Sequence, residues 1–190
     1  MDEQPSLSVP EWLVLSILSQ QPQHGFALAQ LTAPDGELGR VWHIPKAVIY
    51  RSIGRLLDVG LIEPEGTEQG LGPQRTLYAP TPEGRAAAQH WLRTPVEHVR
   101  DIRSQLLLKL ALLDRVGEDP AELLRAQRKV LEPIVRAMEA KCDGTGFDAV
   151  LIAWRKATAR AALDFLDMIT SPERLRPVPA PAPAPPLTLE

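Results

Sequence analysis

Residues 45–62 read Pro45-Lys46-Ala47-Val48-Ile49-Tyr50-Arg51-Ser52-Ile53-Gly54-Arg55-Leu56-Leu57-Asp58-Val59-Gly60-Leu61-Ile62. Val48, Ile49, Ile53, Leu56 and Leu57 recur at the three- and four-residue spacing of a helix with one buried face. The helix is expected to begin near Pro45 and to run to about Val59, with Gly60 as a left-handed cap. Lys46, Tyr50, Arg51 and Arg55 fall on the other face. Leu61-Ile62 then starts a short strand, and Thr76-Leu77-Tyr78 a second, across a loop holding Gly66, Gly70 and Gly72. Thr81-Pro82-Glu83-Gly84 opens another helix that reaches Trp91-Leu92.

Working back toward the N-terminus, Ser8 caps a helix with Pro10 in its first turn and Leu13, Val14, Ile17 and Leu18 on a buried stripe. Pro22 and Gly25 precede a short helix carrying Phe26, Leu28 and Leu31, which Pro34, Asp35 and Gly36 end. Three helices, a β-hairpin and a fourth helix form the winged helix-turn-helix pattern. Gly54, which costs about 1 kcal/mol inside a helix relative to alanine, is expected to permit close packing against the first helix.

Beyond Pro95 a second block begins. Ile102 to Leu113 is apolar nearly all round, with Lys109 the exception, and reads as deeply buried. Leu124, Leu131 and Met138 lie seven apart on a helix from Glu122 to Met138, a short heptad seam. After Gly144 and Gly146, one face of a last helix carries Phe147, Val150, Leu151, Trp154, Thr158, Ala161, Phe165 and Met168. Three such helices beside a small domain suggest an oligomerisation domain, with Leu124, Leu131 and Met138 at the dimer seam. Completion of a single monomeric core is the competing reading. The expected division is therefore a winged-helix DNA-binding domain over 8–94, a helical dimerisation domain over 95–174 and a proline/alanine-rich disordered tail over 175–190. The fold class is mostly α with a small β-hairpin wing.

The 190 residues carry a net charge of −3, too acidic for a protein that coats nucleic acid. Up to Leu92 there are six basic and ten acidic residues. Four of the six bases, Arg40, Lys46, Arg51 and Arg55, fall in a stretch without an acid. A local basic stripe on an acidic body suits sequence-specific binding. No run approaches the roughly 18 apolar residues of a membrane span, the acidic N-terminus lacks a secretory n-region, and Cys142 stands alone, so a cytoplasmic protein is expected.

In a helix-turn-helix the N-terminal part of the recognition helix faces the major groove. Lys46, Tyr50, Arg51 and Arg55 are the candidate DNA contacts on that helix. Arginine and lysine donate to guanine, and tyrosine bonds a phosphate or packs on a thymine methyl. In the wing Glu63, Glu65 and Glu68 oppose phosphate, and Arg75 is the candidate contact. His24, His43, His90 and His98 have no metal-ligand spacing, and no nucleophile elbow or phosphate loop occurs. The chain reads as neither an enzyme nor a metal or cofactor protein. His24 is expected to support a helix junction, Trp42 to anchor the recognition helix, and Trp12 and Trp91 to cover interdomain surface. Trp154 has two readings: core packing, or the wall of a site for a small aromatic or apolar effector.

His24-Gly25-Phe26-Ala27-Leu28, Ile49-Tyr50, Arg55-Leu56, Gly60-Leu61-Ile62, Gly72-Pro73-Gln74-Arg75, Tyr78, Thr81 and Gly84 together resemble the PadR family of transcriptional regulators. The resemblance runs from about Val9 to Trp91 and more loosely through the later helices. It implies a dimeric repressor with one winged helix per subunit, a helical dimer domain, an inverted-repeat operator in double-stranded DNA and, in some members, release by a small molecule. Two departures bear on the target. Pro45-Lys46-Ala47-Val48 stands where the family has Ser-x-Gly-Thr, and Arg51 stands at a frequent proline. A winged-helix protein-interaction module without DNA binding is the alternative.

Overall fold

The computed structural model describes residues 6–69, 74–142 and 144–170. Gly70, Gly72 and Pro73, and the tail expected over 175–190, lie outside the described residues. The first helix, α1 (Val9–Leu18), starts where Ser8 predicts, and the Glu11 carboxylate accepts from the Ser8 backbone N–H at 2.6 Å. Leu13 to Leu18 are all buried, so α1 is the central post of the winged helix, packed by α3 and α4.

Next come β1 (Gln23–His24), α2 (Gly25–Leu31) and α3 (Lys46–Asp58). Between α2 and α3, buried Thr32 ties the connection together: its backbone oxygen accepts from Ile44 N–H at 3.1 Å, and its hydroxyl lies 3.2 Å from the Leu28 carbonyl. Gly60, after α3, has φ +69°, the left-handed cap expected of it. It turns the chain into β2 (Ile62–Glu68), which pairs antiparallel with β3 (Arg75–Pro80), Ile62 opposite Pro80 and Glu68 opposite Arg75. A bulge between Pro64 and Gly66 places Gly66 inside the strand rather than in the loop. Gln23 and His24 add a third strand against Tyr78 and Leu77, giving the order β1-β3-β2. Thr81 caps α4 (Pro82–Arg93) by accepting from Gly84 N–H at 3.1 Å.

Past α4 a 3₁₀ turn (Val99–Asp101) and a π-helical turn (Ile102–Leu106) lead into α5 (Leu107–Arg115), followed by α6 (Ala121–Glu139) and α7 (Gly146–Ile169). Helix α5 belongs to two cores. Leu108 and Leu112 join Leu13, Ile17, Ile49, Leu56 and Trp91 in the first, whereas Leu113, with Leu106 just before it, joins Leu124, Leu131 and Leu166 in the second. Lys109, expected as the polar exception on this helix, is 2% exposed. Its Nζ donates to the Thr94 carbonyl at 2.6 Å and lies 4.6 Å from the Trp91 ring centroid. That carbonyl ends α4, where the helix dipole favours a cation, but burial still pushes the Lys109 amine down to about 8. Trp91 in turn stacks on Trp12 at 5.7 Å, and both rings pack with the first core. The linker is clasped again by buried Gln127, whose amide bonds both the N–H and the carbonyl of Val96 at 2.8 Å.

Three placements differ from expectation. Leu124 and Leu131 were expected to face a partner, but both are buried against Ala162 and Leu166 of α7 in their own chain. Met138 is half-buried. On α7 the inward side is the narrow row Ala159, Ala162 and Leu166, because small residues let the two helices approach. The broad apolar face faces outward instead: Phe147, Val150, Trp154 and Met168 are all exposed. The core-packing reading of Trp154 is thereby overturned, with 67% of the residue exposed. Gly54 likewise has no close neighbour, and a Cβ there would meet nothing within 4 Å.

Candidate nucleic-acid interface

Helix α3 buries Ile49, Ser52, Ile53 and Leu56 and leaves Lys46, Tyr50, Arg51 and Arg55 exposed. The buried Ser52 hydroxyl donates back to the Val48 carbonyl at 2.9 Å, which spares it an unpaired polar atom. No ion pair among the described residues engages Lys46, Arg51 or Arg55, while Arg93, Arg115, Arg128 and Arg160 are all paired. Their positive charge is thus uncompensated, as phosphate or guanine recognition requires.

The wing lies beside this face. Arg75, first residue of β3, rests its guanidinium 4.5 Å from the Phe26 ring centroid. Lys46 Nζ lies 5.6 Å from the same ring and 5.8 Å from that of Tyr50. A shallow recess is lined by His24, Phe26, Tyr50, Gln74, Arg75 and Tyr78. The structure therefore brings three of the five expected contacts, Lys46, Tyr50 and Arg75, together around Phe26. Arg51 and Arg55 continue the exposed α3 face away from it.

His24 supports the junction. Its Nδ1 accepts from Ala27 N–H at 3.0 Å as the cap of α2, which leaves the proton on Nε2, 3.3 Å from the Glu68 carboxylate. The acids expected to oppose DNA are accounted for in this way: Glu68 is engaged by His24, and Glu63 and Glu65 line a separate cleft with Arg85 and Gln89 of α4. Gly25 is where close approach is needed, since a Cβ there would sit 2.8 Å from Tyr50 Cε1. Phe26 is the residue that the pattern of charges did not single out. Its only signal in the sequence is its place in the His24-Gly25-Phe26 run.

A second feature lies in the other half of the chain. An open cleft of about 800 Å³ runs between residues 98–107 and α7. Trp154, Leu151, Phe165, Ile102 and Leu107 supply apolar walls, and His98, Arg100, Arg103 and Arg155 are the charged or titratable residues at it. No carboxylate lines it, and none of the three arginines has an ion pair among the described residues. The sequence signal for this site was the closely spaced His98, Arg100 and Arg103, which periodicity arguments pass over. Among the described residues there is no group of histidine, cysteine and acidic side chains that could hold a metal ion, and no helix long and apolar enough to cross a membrane.

Residues 14–90 match the model of the transcriptional regulator PadR-like family. Among solved structures, the chain is similar to Bacillus subtilis PadR in complex with operator DNA, at 17% identity and a TM-score of 0.45 over 86% of this chain and 99% of that one. It is also similar to smu.1604c from Streptococcus mutans UA159, at 18% identity and a TM-score of 0.40 over 83% of this chain and 96% of that one. For the PadR-like transcriptional regulator BC1756 from Bacillus cereus the values are 18% and 0.39, over 88% and 97%. No curated protein matches the chain. With a winged helix built on α1, α3 and the β2–β3 wing, and with the family match across those same elements, residues 14–90 form a PadR-like transcriptional regulator domain.

Proposed function

We propose that the chain is a sequence-specific DNA-binding transcriptional regulator that acts as a homodimeric repressor and is released by a small ligand. The observation that carries the DNA-binding part is the uncompensated basic face of α3 beside the wing, within a PadR-like domain. Lys46, Tyr50, Arg51, Arg55 and Arg75 are the contacts, with Arg51 and Arg55 as base readers and Lys46 and Arg75 nearer the phosphates. The test is selection of duplexes from a random library with the whole protein, followed by affinity measurement on the winners. Selection of no sequence would favour the protein-interaction module.

Dimerisation is assigned to the outward face of α7. Phe147, Val150, Trp154 and Met168 form an apolar stripe that a two-fold partner would cover, and Leu124 and Leu131 support α7 from beneath rather than meeting the partner through an open seam. Such a dimer would present two recognition helices about 34–36 Å apart, so the selected duplexes should be inverted repeats. Sedimentation of the whole chain tests the dimer, and a monomer at micromolar concentration would refute it.

For the effector, the cleft beside Trp154 supports a flat apolar body, and the arginines at its rim favour an acidic group on that body. A change in Trp154 emission on adding aromatic acids, partly reversed by operator, is the expected reciprocal coupling. A broad panel without effect on emission or on DNA affinity would remove ligand release from the function.

A further inference from the structure

The His24-Gly25-Phe26 run opens a helix of seven residues whose only evident task is structural, yet all three residues meet α3 or the wing, the two elements assigned to DNA. His24 is in the sheet through its pairing with Leu77 and caps α2 through its ring. Gly25 makes room for Tyr50 of α3. Phe26 alone touches two cations from separate elements, Lys46 of α3 and Arg75 of the wing. Cations within about 6 Å of an aromatic centroid are held by the ring's negative face.

We propose that Phe26 is a positioning residue for DNA binding, its ring a shared seat that aligns Lys46 and Arg75 before the duplex arrives. The proposal rests on the reading that α3 and the wing meet DNA. Lysine and arginine stems are among the most mobile side chains, and freezing them on contact with phosphate opposes binding. The two cations also repel each other, and the negative face of one ring lets them remain close without a carboxylate that DNA would have to displace. Glu68, opposite Arg75 in the wing, lies 3.3 Å from His24 Nε2, and the same nitrogen is 3.4 Å from Arg75 Nη1. The ring thus pre-orders two charges that stay available, which an ion pair would not do.

The experiment uses full-length protein and a duplex selected by it from a random library, with affinity read by fluorescence anisotropy. Phe26→Leu keeps an apolar side chain and removes the ring, and is expected to weaken binding about fivefold to tenfold. Phe26→Tyr should bind within about twofold of the parent. In a protein already carrying Lys46→Ala and Arg75→Ala, Phe26→Leu should change affinity less than about twofold. Pentafluorophenylalanine at position 26 keeps the shape, reverses the ring's charge distribution and should weaken binding as Phe26→Leu does, which covers the case in which Phe26→Leu does not fold. Equal losses from Phe26→Leu in both backgrounds, or parental affinity with the fluorinated ring, would overturn the proposal. Parental affinity of the Lys46→Ala/Arg75→Ala protein would instead overturn the assignment of those two residues to DNA, and the seat with it.

Discussion

Lys109→Met removes a buried cation while keeping the length and apolar bulk of its stem. In the folded protein the amine sits between the Thr94 carbonyl and the Trp91 ring, 2% exposed, with its proton affinity lowered from 10.5 to about 8. Unfolded, the same lysine titrates near its ordinary value, so between about pH 8 and 10.5 the unfolded chain holds a proton that the folded chain has released. Stability must then rise with pH across that window, and below pH 8 the folded state carries the whole cost of the buried charge. At 1.36 kcal/mol per pH unit the full span amounts to about 3 kcal/mol, of which about 2.5 kcal/mol is realised between pH 7 and 10. Urea unfolding of the parent and of Lys109→Met at pH 7, 8.5 and 10 isolates this quantity, because other titrating groups act on both proteins alike. The Thr94 carbonyl left without its donor destabilises the variant equally at every pH, so it drops out of the slope. The parent should gain about 2 to 3 kcal/mol on the variant from pH 7 to 10. Parallel pH profiles for the two proteins would refute the argument, since they require that Lys109 reach water in the folded state.

Arg51→Ala should cost about 1–3 kcal/mol on the selected duplex and less on scrambled DNA, whereas Lys46→Ala should weaken all duplexes alike and lower the salt slope by about one, both read by anisotropy titration. Trp154→Asp should give a folded monomer, while Leu131→Asp, which puts a charge into the chain's own core, should lower the melting temperature steeply; sedimentation with circular dichroism separates the two, and the reverse pattern would return the dimer contact to α6. Gly25→Val should displace Tyr50, press on buried Ile53 and weaken DNA binding, read by the same anisotropy titration, because the new side chain would meet both residues of α3. Substitution of Gly54 by alanine, by contrast, fills open space and should stabilise the chain by about 0.5–1 kcal/mol in a urea titration.

The winged helix was legible because its boundaries are written in local chemistry. Ser8 with Glu11 three residues on, Thr81 before Pro82, and Gly60 at φ +69° each set a helix end with a side chain or backbone that does little else. The exposed basic side of α3 followed from its buried side by subtraction. What escaped was set by partners far along the chain. Gln23 and His24 become a strand only because β3 offers Leu77 and Tyr78, and two residues hold no period. Lys109 looks like a surface residue until Thr94 and Trp91 close over it. On α6 and α7 both helices have more apolar residues than one interface can use, and pattern alone does not say which set turns inward. The small side chains of Ala159 and Ala162 decided it, and that is a fact about inter-helix distance rather than about hydrophobicity.

Membership of α5 in both cores restricts how the two halves of the chain can move against each other. A helix held on one side only can roll, trading one row of side chains for the next at about 100° per residue. Here a roll would pull Leu108 and Leu112 out from under α1 at the same time as it drove Leu113 into α6, so rotation about the axis is blocked from both directions. The freedom left to α5 is to tilt, with the Thr94–Lys109 bond and the Gln127–Val96 clasp near the fulcrum. Leu107, its first residue, and Ile102, in the turn before it, also line the cleft beside Trp154. Anything wedged there would press on the leading end of α5, the helix whose Leu108 and Leu112 lie in the same core as α1.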